Sequence, residues 1–173
     1  MATKSRIFII AISLLLAGCG FTHHYTPRPT TYDFPPIPEF ESSNDVTLVN
    51  TQDSIAPVFF GNAGIGHEWY GNLKEWTDVA ISIANREISN RGVNIHEGSA
   101  KRLELSIVSI KSTTGGWGFR CYVDLKVTTS DGYERVFQGQ GPSALINKAA
   151  DAGVMYAVAE MLKDRKIVEF LTN

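Results

Sequence analysis

Phe119-Arg120-Cys121-Tyr122-Val123-Asp124-Leu125-Lys126-Val127-Thr128 alternates apolar and polar side chains along nearly its whole length. Side chains of a strand point to opposite faces in turn, so this period of two puts Phe119, Cys121, Val123, Leu125 and Val127 on one buried face. Asp131-Gly132 follows, a strong two-residue hairpin signal, and Tyr133 to Gln138 returns as the next strand. Upstream, Leu103, Leu105 and Ile107 alternate with Glu104 and Ser106, and Gly115-Gly116 turns the chain. These three strands form an antiparallel meander. Gly139 to Pro142 is expected to break the third of them.

Two helical patterns flank the meander. Asn72, followed by Glu75, starts the first; Leu73, Trp76, Ala80, Ile83 and Ala84 recur at helical spacing, and Gly92 ends it. The second runs from about Ser143 to Leu162, with Ile146, Ala149, Ala150, Gly153, Val154, Ala157 and Met161 on one face. Small residues there let a helix lie close to a sheet. Ile167 to Leu171 closes the chain as a short turn, Val46 to Val49 is a short strand, and Ala56 to Phe60 is a weaker one. Gly61 to Gly71 is expected to be a glycine-rich loop. The expected fold is α+β, with a mainly antiparallel sheet of four to five strands and two amphipathic helices packed on one face.

With 43% hydrophobic and 20% charged residues, the 173-residue chain falls among ordinary globular proteins and outside the disordered and disulfide-framework classes. A formal charge of −2 leaves no basic footprint for nucleic acid.

The N-terminus carries an address. Lys4 and Arg6 precede the apolar run Ile7 to Leu16, which is too short to span a bilayer and fits a secretory signal peptide. It ends in Leu16-Ala17-Gly18-Cys19, which resembles the lipobox of bacterial lipoproteins. That resemblance implies acylation of Cys19, removal of residues 1–18, and stable membrane anchoring, since about two acyl chains suffice for it. Gly20 stands where an aspartate typically retains such proteins in the inner membrane, so the resemblance implies the outer membrane with the domain in the periplasm. With Cys19 lipidated, Cys121 has no partner for a disulfide within the chain.

Five of the 7 prolines fall between Pro27 and Pro38, excluding helix or central strand there. Residues 19–44 are expected to be a lipidated, Pro-rich tether; at ~3.1 Å per residue, Gly20 to Asn44 would reach on the order of 70–80 Å. Tyr25, Tyr32, Phe34 and Phe40 leave room for part of it to pack on the domain. A single periplasmic domain over 45–173 completes the organisation.

The lipobox, the Pro-rich segment and the early strand occur in the order of the YajG-type periplasmic lipoproteins. The C-terminal half also resembles that family. It does so in Asn90-Arg91-Gly92, the strands from Leu103 to Ile110 and Arg120 to Thr129, and Asp131-Gly132. The run Asn147-Lys148-Ala149-Ala150-Asp151-Ala152 and the closing Ile167-Val168-Glu169-Phe170-Leu171 continue the match. It is good over residues 85–173 and loose over 45–84, where Gly61 to Gly71 departs from the pattern. The resemblance implies an α/β periplasmic lipoprotein and no catalytic residues.

Chemistry-bearing motifs are scarce. His23, His24, His67 and His96 lack the spacing of a zinc helix motif, and no Gly-x-Ser-x-Gly elbow occurs, so neither metal nor cofactor is expected. Gly61 to Gly66 lacks the Gly-Lys-Ser/Thr ending of a phosphate loop, and Cys121 shares its strand face with core residues. A non-enzymatic binding or structural module of the cell envelope is the leading expectation, contacting the membrane through Cys19 and an envelope protein or cell-wall partner. An accessory subunit of an envelope transport or secretion assembly is the alternative, and a cell-wall hydrolase the alternative of another class. If helix one is a right-handed crossover, Gly61 to Gly71, Gly115 to Trp117 and Gly139 to Pro142 meet at one sheet edge. There Trp69, Tyr70 and Trp117 would form a partner-binding edge.

Overall fold

The alternating stretch is a single strand in the computed structural model, which describes residues 20–30 and 32–173. The strands are β1 (Phe21–Tyr25), β2 (Asp45–Asn50), β3 (Pro57–Asn62), β4 (His67–Asn72), β5 (Asn94–Ile95), β6 (Arg102–Gly115), β7 (Gly118–Thr129) and β8 (Glu134–Ser143). The helices are α1 (Leu73–Ser89), α2 (Ile146–Lys163) and α3 (Arg165–Thr172). The fold is α+β, built on two sheets with orders β5-β2-β6-β7-β8 and β1-β4-β3.

Strands β6, β7 and β8 form the expected antiparallel meander. Cys121, Val123, Leu125 and Val127 are fully buried, while Phe119 at the strand's start is half-buried. Helices α1 and α2 cover this face and touch each other. A bulge at Val108 resets the parity of β6: Leu103, Leu105 and Ile107 face inward before it, Ile110 and Ser112 after it. Lys111 is thereby kept on the exposed side.

Strand β2 runs parallel to β6 with Leu48 opposite Leu103, so the crossover between them carries β3, β4, α1 and β5. Beyond the end of β2, open backbone groups of β6 are taken up by side chains. The Ile107 N–H donates to the Thr77 hydroxyl (2.9 Å), and the Gln52 amide donates to the Ile107 carbonyl (2.7 Å). Asn72 caps α1 as expected, its side-chain oxygen accepting from the Lys74 and Glu75 N–H groups.

Ile167 to Leu171, expected as a short turn, lies within the eight-residue helix α3, capped by the Asp164 side chain. Three further expectations need correction. Gly61 to Gly71 is the second half of a β3–β4 hairpin, not a loop, with Gly71 in register with Val58. A β-carbon on Gly71 would strike the Trp76 ring, which lies against the backbone there. Gly139 to Pro142 does not end the third strand: β8 continues through Ser143, paired with β7 along its length. Pro142 is tolerated because β8 is an edge strand, and the glycines are demanded by α2. A β-carbon on Gly139 or Gly141 would lie under 3.0 Å from backbone atoms of α2 at Gly153 and its neighbours.

The folded unit also begins before residue 45. β1 pairs in parallel with β4, Thr30 and Phe40 are buried, and Phe34 and Ile37 pack on the core. The described residues of the Pro-rich run have neither helix nor strand, as their composition requires, yet Thr30, Phe34 and Ile37 lie against the domain. The Ser42 N–H donates to the Arg91 carbonyl (3.2 Å), and the Arg91 guanidinium sits over the Phe40 ring.

Gly141→Ala should lower stability by about 1–3 kcal/mol, because helix backbone cannot yield as a flexible side chain can. Gly116→Ala, at an open turn position, should change it by less than about 0.5 kcal/mol. Urea unfolding of the two variants measures the difference.

Candidate functional site

The β1–β4 pairing sets Phe21 beside His67, His23 beside Trp69 and Tyr25 beside Gly71 on one face of the small sheet. The rings stack in a ladder: Phe21 on His67 (5.1 Å between centroids), His23 on Trp69 (4.7 Å), with Tyr25 edge-on to Trp69 (6.3 Å). His23 Nε2 and His67 Nδ1 are 2.9 Å apart, so one imidazole donates and the other accepts. Phe60 and Trp76 continue the cluster inward, at 90° and 5.0 Å. The other face carries His24, Tyr70 and the exposed Phe59, with Tyr70 donating to Glu68.

The ladder ends on a buried carboxylate. The Tyr25 hydroxyl donates to Asp151 Oδ2 at 2.6 Å, joining β1 to the second turn of α2. Asp151 is 1% exposed, and among the described residues its Oδ1 has no hydrogen-bond partner, nor do the indole N–H groups of Trp69 and Trp76. The Lys148 ammonium is 3.8 Å from the carboxylate. Burial raises the Asp151 carboxyl above its ordinary range, and the Tyr25 bond, Lys148 and Arg28 pull it partly back. The folded state therefore holds this proton more tightly than the unfolded chain. Its stabilising contribution is complete below about pH 4 and is lost as pH rises through the folded pKa.

Burial first, and then the bond to Asp151, raise the Tyr25 hydroxyl well above the usual phenol value. It stays a donor across neutral pH.

Of the residues expected at one partner-binding edge, Trp69 and Tyr70 lie within β4, on opposite faces. Trp69 packs half-buried against the core, and Trp117 stands fully exposed at the β6–β7 turn. The structure does not bring the three into one contact. Cys19 lies outside the described residues. Cys121 is buried and free, and burial pushes its thiol up to about 11. Among the described residues, no group of three His, Cys, Asp or Glu is placed to share a metal ion.

Tyr25 and Asp151 were missed by sequence reasoning. One signal was available: from Ala149 to Ala159 the helix carries a single charged residue, Asp151. A lone acid in such an apolar run implies a specific partner. Nothing local identifies that partner as Tyr25, 126 positions away.

No family model matches the chain, and no curated protein matches it either. The likeness to the YajG-type lipoproteins therefore rests on sequence pattern. No helix among the described residues is long and apolar enough to cross a membrane.

Tyr25→Phe leaves the Asp151 carboxylate buried without its donor and should cost about 1–3 kcal/mol at neutral pH. Because the folded state holds the phenol proton more tightly, Tyr25 contributes stability below about pH 10 that is lost above it. The variant should show a flatter alkaline decline in urea midpoints. Cys121 should react with thiol reagents only as fast as the protein unfolds, measured against its reaction in denaturant.

Proposed function

We propose that this chain is a lipoprotein held in the outer membrane through Cys19, serving as a non-enzymatic binding or structural module of the cell envelope. The observation that carries this reading is the seating of β1. Two residues after Cys19 the chain enters a strand, held by five register pairs to β4 and latched by Tyr25 to Asp151. An acyl group on Cys19 would thus be joined to the fold by a very short link. Such a link holds a domain at its membrane, which suits a module that meets its partner there.

The aromatic and polar groups of the N-terminal face are engaged with one another. The His23–His67 bond, the Tyr25–Asp151 bond and the stacked rings are structural contacts that fix β1. The Cys121 thiol is buried and its thiolate disfavoured, the opposite of what a nucleophile needs. Binding is the activity these residues support best.

Cys19→Ser should leave an unacylated, uncleaved precursor that no longer fractionates with the outer membrane. Wild-type fractionation of that variant would overturn the reading. Crosslinking of the wild-type protein in intact envelopes, followed by capture, should recover a protein or cell-wall partner. A single stoichiometric assembly would identify the chain as an accessory subunit.

A further inference from the structure

One end of the molecule gathers the start of β1 and three exposed apolar tips. The Phe21 N–H donates to the Gly66 carbonyl, fixing the start of β1 at the β3–β4 turn. Gly20 lies against Gly66, one peptide step (about 3.8 Å between α-carbons) from Cys19. Ile65, in that same turn, is fully exposed.

The β6–β7 turn lies at the same end. Thr77, early in the helix that follows β4, meets Ile107, whereas Gly61, near the tip of β3, approaches Ser112 and Ile146. β3 and β6 therefore advance in the same direction, and both hairpins turn beyond the Gly61–Ser112 contact. Trp117 projects from the second turn with its whole side chain in solvent. Leu145, 60% exposed, lies next to it, because Phe119 is in register with Ser143 and Gly118 lies against Ser143 and Ala144.

The charges around these tips are mostly positive. Lys111, Arg120 and Lys148 are exposed on the segments that build this end, against the exposed acid Glu68, the half-buried Asp124 further along β7 and the buried Asp151 that Lys148 faces at 3.8 Å. The chain as a whole is acidic, so this bias is local.

We propose that this end is a membrane-seating face: Ile65, Trp117 and Leu145 enter the lipid interface around the acyl anchor, and the basic side chains meet lipid phosphates. The inference rests on the proposed acylation of Cys19 and adds the orientation of the domain. Tryptophan favours the headgroup level, where its ring is half in hydrocarbon and its N–H stays hydrated. Each basic residue near an anionic surface adds favourable charge interaction, and the exposed apolar tips gain by leaving water. The anchor pays for bringing the face to the bilayer, so the weak contributions of three side chains act at high local concentration. The lipid surface fits this end better than a protein partner does, because the shortest link to the acyl group holds these tips against the membrane.

The test uses the mature, full-length protein purified from membranes and reconstituted into vesicles of phosphatidylethanolamine and phosphatidylglycerol. Brominated acyl chains in a fraction of the lipid quench tryptophans that reach the bilayer. Trp76 is fully buried and Trp69 packs half-buried against the core, so Trp117→Phe, a change at a solvent-exposed side chain, should remove most of the quenched emission. In the wild type, aqueous iodide should quench Trp117 less with vesicles than in detergent-free solution. Equal bromolipid quenching in the two proteins, or iodide access unchanged by vesicles, overturns the seating. Mass measurement and flotation check the anchor separately: an unacylated chain that fails to float overturns the anchoring reading and the seating together. An acylated, floating chain with Trp117 open to iodide overturns the seating alone.

Discussion

The close approach of α2 to the backbone of β7 and β8 is the constraint on which the rest of the structure depends. Gly139 and Gly141 on the strand bring its bare backbone against the helix backbone, and Gly153 on the helix makes room for the Val123 side chain. A helix laid this low brings Ala149, Ala150 and Ala157 into the sheet's packing layer, where a larger residue would force it upward. Its other sides then become interior surface: α1 and α3 pack on it, Ile146 reaches Gly61 of β3, and Asp151 reaches Tyr25 of β1. That is why α2 is buried on nearly all sides even though it covers an edge of the larger sheet.

The larger sheet was legible because its information is local. The alternation from Phe119 to Thr128, the turns at Gly115 and Asp131-Gly132, and the helical spacing after Asn72 each fall within a short window. Misreadings occurred where a residue serves a distant neighbour. Gly139 and Gly141 have the composition of a strand break, yet they are there because a helix backbone passes over them. Gly71 looks like loop flexibility, yet it makes room for Trp76. Turn-forming residues carry no mark that tells a bend from a close approach.

The N-terminal face was harder to read for a related reason. His23 and Tyr25 alternate with Thr22 and His24 as a strand should, but the prolines from Pro27 onward dominate any reading of that region. The pairing that makes β1 a strand comes from β4, more than forty residues later, and its parallel register leaves no hairpin signal. Trp69 and Tyr70 were singled out as aromatic, but neighbouring residues of a strand face opposite ways, so they could not serve one surface. Trp69 packs on the core, Tyr70 lies on the outer face of the small sheet, and Trp117 alone of the three is fully exposed.

The seating of β1 has a mechanical side. Its five pairs with β4 run from Phe21 opposite His67 to Tyr25 opposite Gly71, and the N-terminal end lies at the edge of the domain. A pull on that end along the strand axis loads the pairs side by side, in shear. They resist together, whereas a pull across the strand would open them one after another. The hydroxyl of Tyr25 grips α2 at the trailing end, so slippage of β1 must also tear a tyrosine from a buried carboxylate. Force arriving through the chain's first described residues is thus passed to the central helix, and through it to the larger sheet.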